Sequence, residues 1–258
     1  MIRILTGLLL ASVAWALAFY APSWVLVASL LAVTVLALRE FFSIISKFGL
    51  RPFHISGQVA GALWLLTPNL DRGYAATMLA ILLLSEAALA GVPVPDFLPT
   101  TALTLTGIIY IAGPMFYGIL LHDISPHWFA FTLVVVAIGD SIALAVGRTL
   151  GRRPLAPVAS PHKTWEGTIA SLTTGVLAGA GYAAAFMAGE VHWAEGAILG
   201  LVFNAFGQLG DLAESIMKRA AGVKDSSHIL PGHGGVLDRV DGFLFAIPVA
   251  YGYVAFLR

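Results

Sequence analysis

Apolar residues fill this chain in long runs separated by short polar breaks, and nine such runs follow one another from end to end. They lie at Ile4 to Tyr20, Trp24 to Leu38, Val59 to Leu70, Tyr74 to Ala90, Thr101 to Leu121, Trp128 to Val146, Thr168 to Ala188, Ala194 to Phe206 and Phe243 to Leu257. A helix that crosses a bilayer needs about 20 mostly apolar residues, and most of the runs approach that length; the third and eighth are short. The pattern predicts an all-α, polytopic integral membrane protein with about nine transmembrane helices. Arg3, the apolar run after it and the small residues Ala16 and Ala18 also fit a signal peptide. A second apolar run follows almost at once, which favours a span.

The basic residues give the segmentation a direction, because Lys and Arg collect in cytoplasmic loops. With the N-terminus inside and nine alternating spans, the inside regions hold Arg3, then Arg39, Lys47 and Arg51, then Arg148, Arg152, Arg153 and Lys163, then Lys218, Arg219, Lys224 and Arg239. Only Arg72 and Arg258, of 14 Lys and Arg, fall outside. The expectation is an inner-membrane protein with its N-terminus on the cytoplasmic side.

Composition narrows the chemistry. The chain is 59% hydrophobic and 11% charged, against roughly 25% charged residues in an ordinary soluble domain. Basic and acidic residues balance at 14 each, so no excess charge draws the chain to nucleic acid. It has no Cys, so a metal site would have to use carboxylates or His. No internal repeat or linker marks a second domain, and residues 1–258 read as one membrane domain.

Polar groups concentrate in two inside segments, Gly147 to Gly167 and Gly207 to Gly242, while the first 130 residues read mainly as scaffold. In the second segment Asp211, Glu214, Ser215, Lys218 and Arg219 continue the eighth apolar run without a Pro, which predicts one long helix leaving the membrane. Spacings of three and four put Asp211, Glu214, Ser215 and Lys218 along one face. The bland alternative is a solvated helix end with a Glu214–Lys218 ion pair.

Leu230 to Gly235 carries one Pro and three Gly, too many for a helix. Its exposed amides could form an anion-binding concavity, with His233 as a further donor and Lys218, Arg219, Lys224 and Arg239 as nearby cations. Asp238-Arg239-Val240-Asp241 follows directly. Carboxylates beside phosphate-binding cations make sense with Mg²⁺ between them, since that ion is usually held by one or two carboxylates plus substrate phosphate oxygens. Asp211 and Asp238 are the preferred pair, for one or two metal ions; a salt bridge to Arg239 or Arg219 is the alternative for Asp241.

These residues resemble the signature of the phosphatidate cytidylyltransferases (CDP-diacylglycerol synthases). The pattern runs over residues 215–241, with Ser215, Lys218, Arg219, Lys224, Asp225, His233, Gly234, Gly235, Asp238, Arg239 and Asp241 at its fixed positions. Gly210-Asp211-Leu212-Ala213-Glu214-Ser215, Ser160 to Gly167, and Gly139-Asp140 with Gly147-Arg148 also look like family motifs, so the resemblance covers residues 139–258, the catalytic half. It implies a dimeric membrane enzyme that joins CTP to phosphatidic acid, releasing pyrophosphate and giving CDP-diacylglycerol. It also implies Asp211 and Asp238 as metal ligands and Lys163, Lys218 and Arg219 as catalytic cations. Lys224, Asp225, His233, Gly234, Gly235, Arg239, Asp241, Ser160, Thr164 and Asp140 are then candidates for substrate binding. The chain departs from the family pattern at His162, commonly a second Lys, and after Asp140, where no aromatic residue follows.

Glu86 and Asp140 stand inside apolar runs, where an ionisable group is costly. Asp140 reads as functional, contacting a headgroup cavity, orienting Lys163 or Arg148 or helping with a metal, with a neutral helix-to-helix hydrogen bond as the alternative; Glu86 reads as a structural hydrogen bond or a dimer contact. His54, His122, His127 and His192 carry no motif. A secondary transporter also has many spans and intramembrane carboxylates, but its binding groups should lie near the bilayer midplane. A CTP-dependent lipid kinase of the dolichol type would transfer the γ-phosphoryl group instead, and a membrane scaffold would give no reason for the acidic cluster.

Overall fold

The structure is a computed structural model that describes residues 12–67, 71–229 and 234–258. Its helices are α1 (12–19), α2 (Ser23–Ser46), α3 (His54–Leu66), α4 (Arg72–Leu89), α5 (Val94–Ile124), α6 (Pro126–Leu150), α7 (Trp165–Phe186), α8 (Trp193–Ala220) and α9 (Leu237–Phe256). Each predicted run overlaps one of them; residues 4–11 of the first run and 68–70 of the third lie outside the described residues. By length and composition, six are suited to crossing a membrane: α2, α5, α6, α7, α8 and α9. The predicted number of full spans is thereby reduced among the described residues, because α3 has only 13 residues. At 1.5 Å per residue it rises about 20 Å, short of the roughly 30 Å hydrocarbon core.

Between α6 and α7 the chain forms a small antiparallel hairpin, β1 (Pro154–Ala156) and β2 (Ser160–Thr164). The stretch lies in the first polar inside segment, for which the sequence predicts no strand. Pro154 opens β1, and a two-stranded sheet is all edge, so the prolines remove few ladder bonds. Thr164 then caps α7: its hydroxyl accepts from the Gly167 amide at 3.2 Å.

Helices α6, α7 and α8 pack through small residues rather than through large apolar side chains, as is common where lipid supplies no hydrophobic drive. Gly175 and Gly179 of α7 face Gly196 and Gly200 of α8 so closely that a Cβ on Gly200 would collide with the Gly175 carbonyl oxygen. Asn204 locks the crossing. It accepts from Ser171 Oγ at 2.9 Å and donates to the Val135 carbonyl at 3.1 Å, so one buried amide ties three helices. Larger apolar side chains fill the remainder: Trp128, Phe131, Tyr182 and Phe203 in one cluster, and Phe41, Phe42, Ile108 and Ile111 in another.

The crossing of α8 with α9 decides where the acidic residues go. A Cβ on Gly210 would run into the main-chain oxygen of Asp241, and Gly242 lies against Gly207. This close approach sets Asp211 on α8 beside Asp241 on α9. Gly210→Ala should therefore push the two helices apart, at a cost of about 1–3 kcal/mol for overpacking. The expected result is a lower melting temperature in detergent together with reduced activity; an unchanged melt would show that the crossing tolerates the methyl group.

At the far end of α9, about 30 Å away by its 20-residue length, Arg258 pairs with Glu190 and lies over the Trp128 ring. Tyr253 donates to Glu195 there. Among the described residues the four isolated histidines make structural contacts: His54 with Ser46, His122 with the Ala18 carbonyl, His127 with Tyr182, and His192 as the cap of α8. Glu86 accepts from Ser56 Oγ at 2.7 Å, joining α4 to α3, as its structural reading expected.

Candidate active site

Helix α8 runs 28 residues to Ala220, about 42 Å, and so extends past a bilayer core as predicted. Its last three turns present Asp211, Glu214, Ser215 and Lys218. Helix α9 starts at Leu237, six residues before the predicted apolar run, because Asp238 in the first turn suits the positive end of the helix dipole. Asp238, Arg239 and Asp241 are thus helical residues at a helix start.

Lys218 is the centre of the buried part. Its ammonium pairs with Glu214 one turn back and with Asp238 of α9. The side chains of Lys218, Glu214 and Asp238 are 11%, 0% and 5% exposed, so the anticipated i, i+4 pair exists but is withdrawn from water and shared by a third charge. Asp238 also accepts from the Ser226 amide at 3.0 Å and the Gly235 amide at 2.7 Å, and the Ser226 hydroxyl oxygen lies 2.9 Å from it. Gly234, with φ +77°, makes the turn, and a Cβ there would strike the Asp238 carboxylate.

The more open part is the ion pair of Lys163 on β2 with Asp211 on α8, 2.8 Å apart. Asp211 also accepts from Ser215 Oγ. Asp140, midway along α6, lies within electrostatic reach of Asp211, Lys163 and Arg239. Asp241 is in reach of Asp140, Asp211 and Glu214. It makes no ion pair with Arg239 or Arg219 among the described residues; its carboxylate accepts from the Gly242 amide at 2.8 Å. Three membrane helices, α6, α8 and α9, and the hairpin therefore bring Asp140, Asp211, Glu214, Asp238 and Asp241 together around Lys163 and Lys218.

The remaining predicted residues are distributed around this centre. Arg219 donates to the carbonyls of Ala159 and Val223, fastening the hairpin to the end of α8. Lys224, Asp225 and Arg239 are exposed, with no ion pair among the described residues. Ser160 opens β2, and Thr164 closes it as the α7 cap. His233 lies outside the described residues. Two groups from the first 130 residues reach the site unanticipated. Glu40 of α2 binds the segment before α9, and Tyr110 of α5 lies in electrostatic reach of Asp241 and Glu214. Glu40 follows Arg39 at the end of an apolar run, and an acid at that depth is itself a signal.

The donor set suits a hard cation. The clustered carboxylates outnumber the two lysines among them, the Glu214 Oε1 atom has no hydrogen-bond partner among the described residues, and the Tyr110 hydroxyl is likewise buried and unpartnered. No three acidic or imidazole groups among the described residues are arranged to hold an ion by themselves. Mg²⁺ normally takes only one or two carboxylates and completes its shell with water and substrate phosphate.

A family model described as the cytidylyltransferase family matches residues 1–257. The chain belongs to this family. It is 36% identical over 175 residues to the phosphatidate cytidylyltransferase of Mycobacterium leprae, covering 67% of this chain and 55% of that protein. It is 38% identical over 148 residues to the phosphatidate cytidylyltransferase of Staphylococcus saprophyticus, covering 57% and 56%. To the protein of that name from Synechocystis it is 32% identical over 272 residues, covering 91% and 89%. The matches thus span about half the length of the mycobacterial and staphylococcal family members, and most of the cyanobacterial one.

Proposed function

We propose that this chain is a phosphatidate cytidylyltransferase, an enzyme of phospholipid biosynthesis that converts CTP and phosphatidic acid to CDP-diacylglycerol and pyrophosphate. The observation that carries the reading is the convergence of Asp211, Asp238 and Asp241 with Lys163 and Lys218 where α8, α9 and the hairpin meet, in a chain of the cytidylyltransferase family. In the proposed reaction an oxygen of the lipid phosphate attacks the α-phosphorus of CTP. A new P–O bond forms, the bond from the α-phosphorus to the bridging oxygen breaks, and the electron pair leaves with pyrophosphate. The nucleophile is already anionic, so no side chain has to remove a proton as a hydroxyl would require.

Mg²⁺, as one ion or two, is proposed on Asp211 and Asp238, with Asp241 close enough to Asp211 to join them. When bound it would neutralise charge building on the transferred and leaving phosphates. Lys218 supports this assignment, since it remains paired to Glu214 if Asp238 turns to a cation. Lys163, displaced from Asp211, then faces the triphosphate, and Arg219, Lys224 and Arg239 supply further positive charge. Ser160, Thr164, Asp140, Asp225, His233, Gly234 and Gly235 complete the proposed substrate contacts. The basic-residue pattern supports a cytoplasmic N-terminus and active site. The family resemblance supports a homodimer, which a mass measurement in detergent would check. Residues 139–258 are proposed as the catalytic half of one membrane domain.

The acceptor distinguishes this reading from the lipid kinase. With CTP and Mg²⁺, the purified protein should consume phosphatidic acid and leave a polyprenol untouched, because its nucleophile is a phosphate monoester. Phosphorylation of the alcohol, with CDP as co-product, would establish the kinase instead.

A further inference from the structure

We propose that Glu40, in the first long membrane helix, is a positioning residue for the active site, acting as a clamp on the segment that carries Asp238. The proposal rests on the functional reading above and adds to it a residue from the half of the chain otherwise read as scaffold.

Glu40 is 2% exposed and lies 186 to 197 positions before its partners. Each of its carboxylate oxygens takes two donors. Oε1 accepts from the Ser227 hydroxyl at 2.6 Å and the Val236 amide at 3.0 Å. Oε2 accepts from the Ser226 hydroxyl at 2.8 Å and the Leu237 amide at 2.7 Å. A carboxylate so surrounded offers every donor a charge-assisted bond.

Two consequences follow from where those donors sit. Val236 and Leu237 begin α9, whose first amides lack partners within the helix, and Val236 has no polar side chain to cap them. Glu40 supplies the cap from another helix, at the end where negative charge suits the dipole. Ser226 lies between the two acids: its hydroxyl is also 2.9 Å from Asp238 Oδ2, and its amide donates to the same oxygen. Glu40 therefore fixes the residue that fixes Asp238. Gly235 makes room for the arrangement, since a Cβ there would meet both Ser226 Oγ and Glu40 Oε2.

Glutamine in place of Glu40 keeps the size but presents an NH₂ group to two donors, and aspartate is too short by one methylene to reach both ends of the segment. The test uses the full-length protein in detergent, with Glu40→Gln and, as a milder variant, Ser227→Ala, which removes one of the four bonds. Amide exchange over residues 224–229 and 234–237 should quicken about tenfold or more in Glu40→Gln, the scale expected from losing a charge-assisted bond. Exchange in α6 and α7 should not change. The kcat should fall by about tenfold or more and the Mg²⁺ concentration for half-activation should rise, while the KM for CTP changes less; Ser227→Ala should shift each quantity in the same direction by less.

Unchanged exchange in the segment would overturn the proposal. So would a loss of activity that only follows the unfolded fraction, with kcat per folded molecule and the Mg²⁺ requirement as in the wild type. A wild-type protein that transfers no cytidylyl group would remove the functional reading instead, and the exchange result would then decide the clamp by itself.

Discussion

Lys218→Met should abolish turnover and should also lower stability by about 3–5 kcal/mol, the usual cost of leaving a buried charge without its partner. Glu214 and Asp238 both rely on this one ammonium, and neither side chain is more than 5% exposed. Without Lys218, two carboxylates face each other across the α8–α9 contact with little water to screen them. The protein must then protonate them or open the crossing, and either response disturbs the site. Thermal or denaturant unfolding in detergent gives the stability, and product formation gives the activity. An active Lys218→Met protein would show that Lys218 is dispensable, and with it the three-charge arrangement.

Asp211→Asn should separate the two effects. Asp211 and Lys163 are 32% and 22% exposed, and ion pairs in such surroundings are typically worth about 1 kcal/mol or less. The melting temperature should therefore stay close to that of the wild type. Turnover should nevertheless fall by about a hundredfold to a thousandfold, the range seen when one group that stabilises developing charge is removed. Asp238→Asn should lose activity too, but with a drop in stability, because its carboxylate also takes Lys218, Ser226 and Gly235. A fully active Asp211→Asn protein would remove Asp211 from the proposed metal site.

Much of this was legible from spacing. Period and run length are local properties, so each of the nine apolar runs overlaps a helix among the described residues, and the i, i+3, i+4 spacing of Asp211, Glu214, Ser215 and Lys218 put them on one face of α8. Three features were hidden for physical reasons. No alternating apolar pattern marks the hairpin over residues 154–164, and a two-stranded sheet has edges that tolerate its prolines at 154, 157 and 161. The start of α9 lies before the ninth apolar run, because acids at a helix N-terminus are favoured and extend the helix outward. Glu40 is a single acid two residues beyond an apolar run, with partners nearly the whole chain away, and what it binds depends on how α2 packs against the start of α9.

The fate of the phosphates of CTP tests the central claim most directly. CTP labelled at the α-phosphate with one isotope and at the γ-phosphate with another should, with phosphatidic acid, Mg²⁺ and the purified protein, send the α label into lipid and the γ label into pyrophosphate in equal amounts. The γ label in lipid, with the α label recovered as CDP, would contradict cytidylyl transfer and make the protein a kinase.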